Sequence, residues 1–373
     1  MELFAASRQW ANRPADERYN DIQTAYDQAL HYAHNSAERK DIDPSTIRAQ
    51  AIDDEVKLVG RGGIPTDLTH FAFGQLASRI GAPAGYLREL PATLAVQNLN
   101  HGLAAKFGTA NNPNPENGSV NILAHSNGKQ VIRAITSDRY ERIWNHEVFE
   151  RLLAFKDAGW DTPVAFEHAD RPVWGESNGE HEKTIYVSDH DLFAFLVNNN
   201  YRLAEKGNNA GLGRGFFVSN SEVGAGALKI TTFLYRFVCS NHIVWGAKDV
   251  AKLSLRHVGD IRRRFQSFSA ELTKYANESA SEDEAKIVSA QNTILGGTKD
   301  EVLDEVFKRL RGQVSQKLIA RGYELAAENE STDGNPHSVW GTVQGLTRAS
   351  QETQYGDERV KIDNAAAKLL ESF

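Results

Sequence analysis

The hydrophobic pattern changes period twice along the chain, and this limits the folds open to it. Short strand-like runs crowd residues 119–258, while the stretches on either side repeat their apolar residues at helical spacing. The clearest pair is Val120-Asn121-Ile122-Leu123 and Val131-Ile132-Arg133-Ala134-Ile135. Between them lies Ser126-Asn127-Gly128-Lys129, and Asn-Gly favours the two-residue turn of a β-hairpin. Further strands are expected at 164–166, 184–187, 215–219, 228–234 and 243–244. Strands gathered between helices, rather than alternating with them, predict an α+β fold: a central, mainly antiparallel sheet flanked by helical N- and C-terminal regions.

Three regions follow. Residues 1–110 form a helical N-terminal region, 119–258 a mixed, β-rich core region and 259–373 a helical C-terminal region, with the polar break NNPNPENG at 111–118. After Pro14, a helix over about residues 15–39 keeps Tyr19, Ile22, Tyr26 and Leu30 on one face. Residues 47–51 and 55–59 can pair as a hairpin about Asp53-Asp54. Residues 69–80 form a short helix, with Phe73, Leu76, Ala77 and Ile80 inward. Asn145 is placed to cap a helix carrying Val148, Phe149 and Leu152. Ser281 with Glu284, and Thr298 with Glu301, are spaced as capping boxes, and later helices are expected at 338–350 and 358–370.

No run of about 18 apolar residues is present, and the first residues lack the apolar stretch of a signal peptide. A cytoplasmic protein without a membrane partner is expected. The single cysteine, Cys239, leaves no internal disulfide and no multi-cysteine zinc site.

Reaction motifs are scarce. Gly211-Leu212-Gly213-Arg214-Gly215 precedes the strand-like Phe216-Phe217-Val218, not a helix, so it reads as a mobile or tight loop and not as a dinucleotide fingerprint. His146-Glu147-Val148-Phe149-Glu150 has Glu150 where a zincin helix has its second histidine. Asp189-His190-Asp191 reads as a solvated cap ahead of Leu192. No G-x-S-x-G elbow occurs, and Cys239 with His242 fits a small core residue better than a nucleophile pair. The motifs name no catalytic residue, no metal or cofactor is expected, and a non-enzymatic role is favoured over an enzymatic one.

One segment stands out by charge. Residues 229–265 hold Lys229, Arg236, Lys248, Lys252, Arg256, Arg262, Arg263 and Arg264 against Asp249 and Asp260; that is +6 in a chain of −7, leaving −13 elsewhere. Phe233, Tyr235, Phe237, Trp245 and Phe265 are interleaved with these cations. Cations neutralise phosphates and flat rings stack on single-stranded bases, so Lys248, Lys252, Arg256, Arg262, Arg263 and Arg264, with Tyr235 and Trp245 as stacking residues, make a candidate nucleic-acid surface. The same pattern suits an apolar core backed by a solvated basic face. Alternation places Phe233, Tyr235, Phe237 and Cys239 on one side of a strand and Leu234, Arg236 and Val238 on the other. Arg236, if buried, requires a carboxylate, and Glu222 is the expected one.

Several blocks carry a resemblance. They include Ser7-Arg8-Gln9-Trp10, Leu68-Thr69-His70-Phe71-Ala72-Phe73, Ala134-Ile135-Thr136-Ser137-Asp138-Arg139-Tyr140, Gly213-Arg214-Gly215-Phe216-Phe217-Val218-Ser219-Asn220-Ser221-Glu222 and Thr232-Phe233-Leu234-Tyr235-Arg236-Phe237-Val238-Cys239-Ser240-Asn241-His242. Over most of its length the chain resembles the phage/plasmid-like proteins that carry the domain of unknown function 932. The resemblance implies a gene of a mobile element and supplies no reaction or catalytic residues. Three roles fit: a nucleic-acid-binding accessory protein, with single-strand annealing as a fold-level analogy; a protein that binds a host partner through its acidic helices; and an enzyme with a diffuse site around Arg139, Tyr140, Asp189 and Arg236.

Overall fold

The computed structural model describes residues 14–126, 129–163, 184–198, 200, 203–205, 208–236, 254–277, 281–352 and 356–373. Local capping signals set many of the element ends. Asp21 accepts the Thr24 N–H at 2.9 Å and starts helix α1 (Ile22–His34). Thr69 caps α2 (His70–Arg79) through the Ala72 N–H. Two further helices, α3 (Ala84–Glu89) and α4 (Ala92–Phe107), complete the first helical group. Helix α5 (Asn145–Leu153) begins one residue earlier than a cap at Asn145 would require: Trp144 is the cap residue and Asn145 the first helical one.

Among the described residues the strands form two large sheets, besides the two-stranded pair Gly108–Thr109 and Asn112–Pro113. The smaller contains β1 (Ser36–Ile42), β2 (Arg48–Ile52), β3 (Glu55–Val59), β4 (Pro65–Leu68), β5 (Val120–Ser126) and β6 (Gln130–Ser137), in the order β1-β5-β6-β4-β3-β2. The hairpin β5–β6 pairs Val120 with Ser137 and Ser126 with Gln130, while Asn127 and Gly128, the expected turn, lie outside the described residues. Asp53 and Asp54 both take positive φ at the β2–β3 turn, as a type I′ turn demands. Only β4 against β6 is parallel in this sheet.

The larger sheet is antiparallel and is built on β7 (Ile185–Val187), β8 (Asp191–Asn198), β9 (Asn208–Ser221) and β10 (Leu228–Arg236). Arg18–Tyr19 and Ser254–Leu255 lie at its two edges, Trp160–Asp161 pairs with β8 and Leu203–Glu205 with β9. The expected strands at 164–166 and 243–244 lie outside the described residues. Six longer helices are described in the C-terminal region, with a single turn at Glu330–Asp333 between the fourth and fifth: α6 (Ile261–Asn277), α7 (Ser281–Asn292), α8 (Lys299–Leu310), α9 (Gln316–Glu328), α10 (Val339–Gln351) and α11 (Gly356–Glu371). The fold is α+β, mainly antiparallel and flanked by helices.

Alternation along β9 explains the layering. Phe216 and Val218 point into a core shared with Ile22 of α1, Phe149 and Leu152 of α5, and Phe265 and Phe268 of α6. Phe217 takes the opposite face, stacked with Phe193 at 5.7 Å and Phe195 at 4.7 Å. Leu212, nearer the start of β9, enters the C-terminal core with Val302, Ile319, Trp340 and Leu346. A third core packs Leu76, Leu99, Leu103 and Phe107 on Ile132 and Ile135.

Four expectations are corrected. The first helix ends at His34, and residues 36–42 become an edge strand because β5 offers them a ladder. That pairing carries the smaller sheet across the 111–118 break, so the first 110 residues contribute four of its strands. Gly211–Gly215 lies inside β9 and not in a loop: Leu212, Gly213, Arg214 and Gly215 pair with β10, and Leu212 also with Leu203. The backbone register sets Arg236 opposite Leu212, at the far end of β9 from Glu222, and the Glu222 carboxylate is taken by Arg133.

Candidate functional site

The two sheets meet where β6 and β9 end, and the meeting is polar. Arg133 Nη2 donates to Glu222 Oε2 at 2.7 Å, with each side chain 1% exposed. Arg133 Nη1 also donates to Ser36 Oγ at 2.7 Å. The other Glu222 oxygen accepts the Asn145 N–H at 2.8 Å, which places a carboxylate at the positive end of α5. Gln75 completes the link, accepting from Ile135 N–H at 2.7 Å and donating to Val223 O at 2.6 Å. Tyr140 donates its hydroxyl to Ser221 O at 3.0 Å. These bonds join α2, β1, β6, α5 and the end of β9.

Beside this seam the chain enters β8 through Ser188-Asp189-His190-Asp191. Ser188 Oγ donates to Asp191 Oδ1 at 2.7 Å, and His190 Nδ1 lies 2.8 Å from Asp189 Oδ1 and 2.9 Å from Ser188 Oγ. A serine–histidine–acid relay needs serine and acid on opposite ring nitrogens. Here Ser188 and Asp189 both address Nδ1, Asp191 stands 3.7 Å from Nε2, beyond hydrogen-bond reach, and Ser188 is fully buried with its hydroxyl donated to Asp191. The group closes a turn and offers no exposed nucleophile. Among the described residues no three histidine, cysteine or acidic side chains are grouped to hold a metal ion.

His257 is the most strongly perturbed histidine of the seam. Its ring stacks on Tyr140 at 5.1 Å, its Nδ1–H donates to Glu141 O at 3.2 Å, and it is 4% exposed. Burial, reinforced by the nearby Arg142 charge, pushes its pKa down to about 4. The folded state then binds fewer protons than the unfolded chain as pH falls from the ordinary histidine value of 6.5 towards 4. Stability present above pH 6.5 should be lost across that window, by about 2–3 kcal/mol. Urea unfolding at several pH values checks this. His257→Gln keeps a donor for Glu141 and should flatten the dependence, while an unchanged slope would contradict the assignment.

The basic segment is partly described. Arg256 and Arg262, Arg263 and Arg264 in the first turn of α6 are exposed, whereas Phe265 is 2% exposed and anchors the helix. Lys248, Lys252, Trp245, Cys239 and His242 lie outside the described residues, and Tyr235 is described only as part of the β10 backbone. Structure adds two residues to this face. Arg151 on α5 stacks its guanidinium 3.8 Å from the centre of the Phe265 ring, and Glu147, one turn before it, pairs with Arg262. Neither was legible in sequence, because Glu147 and Arg262 stand 115 residues apart.

A family model described as "Domain of unknown function (DUF932)" matches residues 134–369, nearly two thirds of the chain. The chain belongs to the DUF932 family. No curated protein and no solved structure matches it. The DUF932 match begins inside β6, so the resemblance read over most of the chain is shown from Ala134 onward, and β1 to β5 precede it. Glu222, Asn145, Arg151, His257 and Arg262 fall within the matched stretch, while Arg133 and Ser36 lie before it.

Proposed function

We propose that this DUF932 protein is a nucleic-acid-binding accessory protein of a phage or plasmid, acting in the cytoplasm in replication or recombination and favouring single strands. The observation that carries this is the exposed set Arg256, Arg262, Arg263 and Arg264 on a chain of net charge −7. Among the described residues, Arg256, Arg263 and Arg264 have no carboxylate at ion-pair distance. The local field decides whether a phosphate backbone docks, and the positive end of α6 adds to it. Lys248, Lys252, Tyr235 and Trp245 remain part of the proposal on sequence grounds. Three consecutive arginines on a helix are about 100° apart, so at most two face one groove.

Fluorescence anisotropy with labelled single- and double-stranded oligonucleotides tests the proposal. Arg262→Ala with Arg264→Ala should weaken binding to all sequences alike and lower the single-strand log–log salt slope by ~0.7 for each phosphate no longer neutralised. A pulldown showing a tight host partner, with no oligonucleotide binding at low salt, would favour partner binding through the acidic helices instead.

A further inference from the structure

We infer that Arg151 and Arg262, on either side of Glu147, form a phosphodiester-binding fork on the face shared by α5 and α6, which Glu147 occupies when no nucleic acid is bound. This rests on the nucleic-acid proposal and names a site within it. Glu147 and Arg151 are four residues apart on α5, and Arg262 and Phe265 three apart on α6, so each pair lies on one helix face. Those faces meet. Phe265 is buried and its ring carries the Arg151 guanidinium at 3.8 Å, while Arg151 Nη1 donates to Glu147 O at 2.9 Å. The Phe265 ring and the Glu147 carbonyl together hold the guanidinium in place, and its remaining N–H groups are donors available to a phosphate. Among the described residues Arg151 has no carboxylate at ion-pair distance.

Glu147 does two things. One oxygen accepts the Trp144 N–H at 2.8 Å and starts α5, and the other pairs with Arg262. Arg262 is 51% exposed and Glu147 22%, so the pair is solvent-screened and weak. A phosphate, with more acceptor oxygens and the ability to bridge two guanidinium groups, can displace the carboxylate from Arg262 without disturbing its bond to Trp144. Glu147 is therefore a competitor that tunes affinity, and Arg151 a phosphate contact outside the basic segment of the sequence.

The test is the anisotropy titration of a labelled single-stranded oligonucleotide with the full chain, at roughly 50 and 200 mM salt. Wild type is compared with Glu147→Gln, Arg151→Gln and the double variant Glu147→Gln/Arg262→Ala. Glutamine keeps an acceptor for the Trp144 N–H, and circular dichroism confirms the fold of each. Glu147→Gln should bind about two- to fivefold tighter at low salt, the worth of an exposed pair. Arg151→Gln should lower the salt slope by ~0.7, and the double variant should lose the gain. If wild type binds while Glu147→Gln and Arg151→Gln match it in affinity and slope, the fork is wrong and the nucleic-acid proposal survives. If no variant binds, both fail. Inorganic phosphate at matched ionic strength should compete weakly; competition well below the millimolar range would assign the fork to a free anion and overturn the phosphodiester assignment.

Discussion

Glu222→Ala is expected to lower the free energy of unfolding by about 3–5 kcal/mol, a large share of the roughly 5–15 kcal/mol typical of a folded domain. Removing the carboxylate leaves Arg133 charged at 1% exposure and leaves the Asn145 N–H at the start of α5 without its acceptor. Both losses fall where the smaller sheet, the larger sheet and α5 are joined, so they cannot be absorbed by one element. Removing both charges is a different experiment. Arg133→Met with Glu222→Leu takes away the unpaired cation, and buried ion pairs replaced by apolar groups of similar size are often neutral or better. The double variant should recover most of the loss, short of about 1–3 kcal/mol for the Asn145 N–H left without its acceptor, since Ser36 Oγ keeps its bond to Tyr32 O. Chemical denaturation of the three proteins, followed by far-UV circular dichroism, measures this. Equal losses in the single and double variants would contradict the pairing.

Gly345→Ala should cost about 3 kcal/mol, from a single added methyl group. A Cβ at Gly345 would stand 2.0 Å from Gly322 O and 2.9 Å from Ala326 Cβ, so α9 and α10 must move apart at their crossing. Backbone is what it meets, and backbone cannot rotate away as a side chain can. Val343 and Leu346 flank the crossing in the C-terminal core, and separation would loosen their packing. Gly85→Ala, in α3, is the matched control. Nothing lies within 4 Å of its Cβ position, so the helix gains alanine's propensity and should be neutral or more stable, by up to about 1 kcal/mol. A comparable loss in both variants would show that glycine is needed for a reason other than close approach.

These two sites show where sequence is informative and where it is not. Signals confined to a few residues were legible. Thr298 and Glu301 exchange bonds at 3.3 and 3.2 Å as their spacing implies, and the hairpin around residues 120–137 pairs as alternation requires. Long-range choices were not. Residues 36–42, SAERKDI, have no apolar alternation and become a strand only because the edge of β5 is available. Arg133 reads as an interruption of an apolar run until Glu222, 89 residues on, is placed against it. The candidate site divides in the same way. Exposure of Arg262 to Arg264 and burial of Phe265 follow from helical spacing, whereas Arg151 and Glu147 join them only through the packing of α5 on α6.

The most direct test of the account is the salt dependence of single-stranded oligonucleotide binding by the wild-type protein. Nucleic-acid docking through this face predicts a linear fall of log affinity with log salt, with a slope of at least ~1.4 when two phosphates are neutralised. Saturable anisotropy at low salt that weakens along this line is the expected result. A flat anisotropy signal at the lowest salt, with both single- and double-stranded oligonucleotides, would contradict it.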